Sequence, residues 1–148
     1  MSSLNIADHE WQRDAFTVST DRARLDFDWI HQQLTEKSYW AKDQSRVKTE
    51  RAFAGSLAFG VYHQHQQIGF ARLVTDYTRF GWLCDVMIDE NWRGHGLGSW
   101  LASCVRAHPE LATVHRWMLS TNDAHLLYQR LGWRVVQDAN KLMEFPPS

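Results

Sequence analysis

Apolar positions along this chain change spacing several times, and each change marks an element. Phe16 and Val18 alternate with Thr17 and Ser19, which predicts a short strand, and Thr20-Asp21 supplies turn chemistry after it. Leu25, Trp29, Ile30 and Leu34 fall near helical spacing. Val47, Arg51, Phe53 and Ala54 predict a second helix capped by Ser45, with Ser38-Tyr39-Trp40-Ala41 between the two. Leu57 to His63 and Ile68 to Thr75 are rich in aromatic and β-branched residues on either side of Gln64-His65-Gln66-Gln67, which reads as an antiparallel hairpin, and Gly81 to Ile88 continues the meander. Leu97, Leu101, Cys104, Val105 and His108 then line one helical face, and Pro109 follows where that helix should stop. Val114 to Ser120 reads as a strand and Asp123 to Leu131 as a short helix stopped by Gly132, begun by a cap from Asn122 or Asp123. Trp133 to Val136 and Leu142 to Phe145 read as closing strands. The order predicts an α+β fold in one domain spanning residues 1–148, with a mixed, mostly antiparallel sheet of about seven strands flanked by four helices.

Composition narrows the function classes. A chain of 148 residues with 44% hydrophobic content can bury a full core. A formal net charge of -1 argues against nucleic acid and anionic lipid as partners. Cys84 and Cys104 are too few for a disulfide framework, and no apolar leader or run of membrane-spanning length is present, so a soluble protein of the cytoplasm is expected. His63 and His65 alternate at the hairpin end without a Cys or acidic cluster beside them, and no metal is expected.

The chemistry concentrates in Arg93-Gly94-His95-Gly96-Leu97-Gly98, between an apolar strand and an amphipathic helix. A glycine-rich turn there aims backbone N–H groups at one point, where the helix dipole also favours an anion. A Walker A loop is excluded because no lysine precedes Ser99, and the glycines are spaced G-x-G-x-G rather than G-x-G-x-x-G, against a dinucleotide fingerprint. Arg93, Gly96 and Gly98 satisfy instead the pattern Arg/Gln-x-x-Gly-x-Gly/Ala, and here the chain resembles the GNAT superfamily of acyl-coenzyme A dependent N-acetyltransferases. The element order from about Phe16 to Phe145, with Gly69-Phe70-Ala71-Arg72 and Asp123-Ala124-His125, carries the resemblance across nearly the whole chain.

The resemblance implies acetyl-coenzyme A as donor. Its pyrophosphate would lie on Arg93, Gly94, His95, Gly96, Leu97, Gly98 and Ser99, and its pantetheine arm would add to the strand edge at Val86, Met87 and Ile88, with Asn122 and Tyr128 completing the site. Tyr128 is similar in place to the tyrosine that protonates the leaving thiolate, although its helical face also suits a core tyrosine. Thr121 stands where many members carry Asn, and Trp82 where some carry a glutamate base. Asp85 is the nearest carboxylate on that strand, and it either serves an amine acceptor as base or anchor or pairs with Arg72. His125 is a further titratable group near Tyr128. The resemblance places the acceptor pocket at the first two helices and their connection, where Trp29, Tyr39, Trp40, Arg46 and Glu50 are candidates and Asp43 a weaker one. The expected function is acetyl transfer to a primary amine of a small molecule or a protein, with a non-catalytic acyl-coenzyme A binding module as the alternative. A homodimer is open to the chain.

Overall fold

The computed structural model describes residues 5–147. Six strands form one sheet in chain order: β1 (Glu10–Arg13), β2 (Phe16–Ser19), β3 (Leu57–His63), β4 (Gln66–Thr75), β5 (Phe80–Ile88) and β6 (Arg116–Leu119). All neighbours are antiparallel except β5 and β6, which are parallel and therefore need a crossover. Helix α3 (Leu97–Ala107) provides it, while α1 (Phe27–Lys37) and α2 (Arg46–Ala54) lie between β2 and β3, and α4 (His125–Arg130) follows β6.

Two cores sit on opposite faces of the sheet. Leu57, Phe59, Val61, Ala71 and Leu73 pack under Leu97, Leu101, Cys104 and Val105 of α3. Ala58, Phe70 and Met87 face Ile30 and Leu34 of α1 and Phe53 of α2. Strand β3 is thus covered on both sides, which is why its sequence is apolar almost without interruption. The helix starts follow local chemistry: the Asp26 carboxylate accepts the Trp29 N–H, and the Ser45 hydroxyl accepts the Lys48 N–H as expected.

The sheet has six strands rather than about seven, and their identity differs at both ends. The hydrophobic pattern does not predict β1, because Trp11 is its one apolar residue and its side chains are only half-buried or exposed. Trp133 to Val136 and Leu142 to Phe145 form no strand: Val135 is 69% exposed and Phe145 97%, so these β-favouring residues lack the cross-strand partners that give such residues their preference. Gly132 does end the α4 turn, with φ +97°. That helix is shorter than expected, and Thr121, not Asn122 or Asp123, accepts its leading N–H, from Ala124.

His108 closes α3 in an unusual way. It is buried, its Nδ1 accepts the Glu110 N–H at 3.1 Å, and its Nε2 has no partner. The His9 ring meets it edge-to-face at 4.7 Å. Burial, with the nearby His9 second, lowers the His108 pKa below the ordinary 6.5, against a smaller opposite pull from Glu110. The unfolded chain then binds a proton that the folded chain resists, so the His108 contribution is complete above about pH 6.5 and is lost as pH falls toward the lower folded value. Urea midpoints should drop more between about pH 7.5 and pH 5.5 in the wild type than in His108→Asn, which keeps an acceptor for the Glu110 N–H. Parallel drops would remove His108 from the acid response.

Candidate functional site

The site starts from an irregularity in β5. Opposite β4, Arg72 pairs with Cys84 and Phe70 with Met87, so Ala71 alone faces both Asp85 and Val86. The extra residue is a β-bulge, and Asp85 takes it up in the left-handed region at φ +52°. Beyond it the alternation is inverted: Leu83 faces the α3 core, whereas Met87 faces the α1 and α2 core. The parallel pairing with β6 ends at Leu83 and Leu119, just before the bulge. From Cys84 to Ile88 one edge of β5 is therefore free of its neighbour strand, leaving main-chain donors and acceptors that an extended ligand can use. Gly69 lets β4 support this stretch closely, since a Cβ there would lie 2.6 Å from Ile88 Cδ1 and 3.0 Å from the Met87 carbonyl oxygen.

The glycine turn lies at the end of the free edge. Gly94 and Gly96 have φ +86° and +70°, conformations that side chains with a Cβ rarely adopt. Gly96 is the N-cap of α3 and no side chain caps that helix, so first-turn N–H groups remain for a ligand or water. The turn is braced from the start of the chain. Arg13 Nη2 donates to the His95 carbonyl at 3.0 Å while its guanidinium lies 4.8 Å from the Trp100 ring. His95 Nδ1 donates to the Trp92 carbonyl at 3.0 Å, and the Trp92 ring packs against His63 and Phe16. Arg13 is a contributor that sequence reasoning missed, hidden because β1 itself carries so weak a pattern.

Between the diverging ends of β5 and β6 lies a cleft of about 390 Å³. Cys84, Asp85 and Val86 form one wall, Thr121, Asn122 and Tyr128 the other, and Tyr39, Trp40 and Trp82 the aromatic end. Asp85 is bound on both oxygens: Arg72 Nε donates to Oδ2 at 2.5 Å and Trp40 Nε1 to Oδ1 at 2.5 Å. Of the two readings left open for Asp85, the pairing with Arg72 is present, and the carboxylate still lines the cleft. Arg72 also donates to the Ser56 hydroxyl and is not itself in the lining. Burial pushes the Cys84 thiol up to about 11 and raises the Tyr128 phenol above its ordinary value of 10, so both keep their protons at neutral pH.

Other candidates lie elsewhere. Trp29 packs edge-to-face on Phe70 at 5.8 Å as part of the core and does not reach the cleft. Arg46 is held on the surface by Asp28 and Glu50. Asp43 lines a separate shallow pocket behind Trp40, and His125 lines the groove between β6 and the C-terminal segment. No helix among the described residues is long and apolar enough to cross a membrane.

A mixed sheet splayed beside an uncapped, glycine-led helix defines a class of protein built to hold an extended ligand along a strand edge with an anionic group at the helix. Comparison with known proteins gives that class its family. The model of the acetyltransferase (GNAT) domain matches residues 54–135. A Gibberella zeae protein named "Putative acetyltransferase FG08082" is 30% identical over 147 residues, covering 84% of this chain and 82% of that protein. The crystal structure of a GNAT-family protein from Xanthomonas campestris pv. campestris is 39% identical with a TM-score of 0.86, covering 89% of this chain and 93% of that one. Glucosamine-6-phosphate N-acetyltransferase from Arabidopsis thaliana shares the fold at 12% identity and TM-score 0.62, over 90% and 97% of the two chains. The chain belongs to the GNAT acetyltransferase family.

The Arg72–Asp85 pair has side chains only 19% and 8% exposed. Asp85→Ala should destabilise the fold by roughly 3 kcal/mol, because it strands the guanidinium. The double variant Arg72→Met, Asp85→Ala should recover part of that loss in urea denaturation, and simple additivity of the two single changes would deny the coupling.

Proposed function

We propose that this chain transfers the acetyl group of acetyl-coenzyme A to a primary amine by direct attack in a ternary complex. The observation that carries the reading is the free edge of β5 from Cys84 to Ile88, joined through the short turn Glu90–Trp92 and the glycine turn to the uncapped N-terminus of α3. The spacing of these parts suits a diphosphate on the turn of Arg93 to Ser99 and an amide-bearing arm along Val86, Met87 and Ile88. The thioester then falls within the cleft beside Tyr128.

The chemistry asks little of the protein beyond placement. The amine nitrogen bonds to the thioester carbonyl carbon, the C–S bond breaks, and the departing sulfur takes a proton. Holding nitrogen and carbon about 3 to 3.5 Å apart supplies much of the rate, and unpaired N–H groups of β5 suit the developing oxyanion. Tyr128, a phenol that keeps its proton at neutral pH and whose pKa burial raises further, donates to the sulfur and recovers its proton from solvent. The arriving ammonium ion loses one proton to water through the open mouth of the cleft before attack, since only the neutral amine is nucleophilic, and the nitrogen releases its second proton to water once the C–N bond has formed. Asp85, with Arg72 and Trp40 already on its oxygens, is assigned to hold and orient the acceptor. Cys84 is the one thiol in the cleft lining, and its raised pKa disfavours an acetyl-cysteine intermediate, since the thiolate is the nucleophilic form. Single-step transfer fits that environment.

Tyr128→Phe should slow turnover by roughly 10²-fold or more while the affinity for acetyl-coenzyme A, measured by calorimetry, changes little. Equal turnover in the variant would take Tyr128 out of the reaction. Gly96→Ala forces a Cβ into the left-handed region at about 1–2 kcal/mol, so coenzyme affinity should fall by about tenfold. Unchanged affinity would move the diphosphate away from this turn, and tight binding without transfer to any amine would favour the acyl-coenzyme A binding module.

A further inference from the structure

We infer that the acceptor is a small cationic amine without an anionic group, received by the aromatic end of the cleft and by two carboxylates. The inference rests on the transferase reading for the role of the cleft, and on the lining for its selectivity. Among the described residues, Asp85 and Asp123 are the charged side chains that line it, and no Lys, Arg or His does. The nearest guanidinium lies behind Asp85, so the carboxylate is the closer charge to anything in the cleft. No ion pair to Asp123 is formed among the described residues.

The aromatic end supplies the second observation. Tyr39 and Trp40 are 59% and 46% exposed, meet edge-to-face at 5.0 Å and 85°, and stand on the connection between α1 and α2. Large exposed aromatics are ordinarily free to move, but the Trp40 ring is fixed by its hydrogen bond to Asp85. A fixed π-face beside a carboxylate attracts an ammonium ion, and both offset the loss of its hydration. An alkylamine is an ammonium ion at neutral pH, so this is the form that arrives. A phosphate or carboxylate on the acceptor would meet the unpaired charge of Asp123 and an Asp85 carboxylate whose Arg72 is already engaged, with no free cation among the described lining residues to pair with, so its entry is unfavourable. The shared fold with a glucosamine-6-phosphate N-acetyltransferase therefore does not extend to a phosphorylated acceptor here.

Butane-1,4-diamine, butylamine and 4-aminobutyrate offer one skeleton with a second positive, neutral or negative end. Calorimetric titration of each into the protein saturated with coenzyme A should give affinities in the order diamine, monoamine, amino acid, with the amino acid at least about tenfold below butylamine. Asp123→Lys, at an exposed position, should bring 4-aminobutyrate to within about threefold of butylamine. Trp40→Leu should weaken butylamine by about tenfold. Binding of 4-aminobutyrate as tight as butylamine, or no binding of any of the three, overturns the inference. Thioester consumption with the same compounds separates this inference from the transferase reading. The expected binding order without acetylation removes only the transferase reading, whereas acetylation that ignores charge removes only the selectivity.

Discussion

The site depends on one extra residue in β5. Strict alternation would keep Leu83 and Met87 on one face and let β5 and β6 run on side by side. The bulge at Asp85 reverses the facing of everything after it and coincides with the point where the parallel pairing stops. A non-glycine residue at φ +52° costs on the order of 1–3 kcal/mol. The two hydrogen bonds that Asp85 accepts, one charge-assisted from Arg72, offset that strain. The same carboxylate thus fixes the bend that opens the cleft, anchors Trp40 at its aromatic end, and presents its remaining lone pairs to whatever enters.

Distant parts of the chain are drawn in by the same logic. The glycine turn has the backbone freedom to grip an anion but little side-chain packing of its own, and freedom alone would leave it without a fixed shape. Arg13, from the first strand, holds the His95 carbonyl, and Phe16, from the second, packs on Trp92. Exposed contacts of this kind add little to global stability. Their effect is to settle which way the N–H groups point before a ligand arrives, and preorganised donors lose less on binding than mobile ones.

How far the sequence discloses this follows from the kind of contact involved. Helices α1, α2 and α3 and strands β3 to β5 are visible because each buries a face with its own period, and the α2 start is visible because Ser45 caps it locally. The glycine turn is visible because its backbone conformations exclude most other residues. β1 is hidden, since an edge strand with one apolar residue has no pattern to detect, and the closing strands are over-read, since Trp133 to Val136 has the composition of a strand without a partner. Sequence leaves two roles open for Asp85, because its bond to Trp40 joins residues far apart in the chain, and no local spacing encodes it. Trp29 looked equivalent to Trp40 in sequence. Only packing on Phe70 separates a core tryptophan from a cleft tryptophan.

The two halves of the cleft offer different kinds of contact, main-chain groups along β5 and side chains at the aromatic end. A ligand held by main-chain groups along β5 and at the start of α3 tolerates almost any side chains there, provided the glycines and the bulge survive. That region falls inside the matched residues 54–135, whereas Tyr39 and Trp40 fall outside them. Recognition at the aromatic end depends on side chains, where a single exchange of charge or ring changes what is admitted. A cleft that combines fixed main-chain donors with a replaceable side-chain wall can keep its reaction while changing its acceptor. In this chain the wall is aromatic and acidic, and the Asp85 carboxylate at the bulge ties it to the main-chain half.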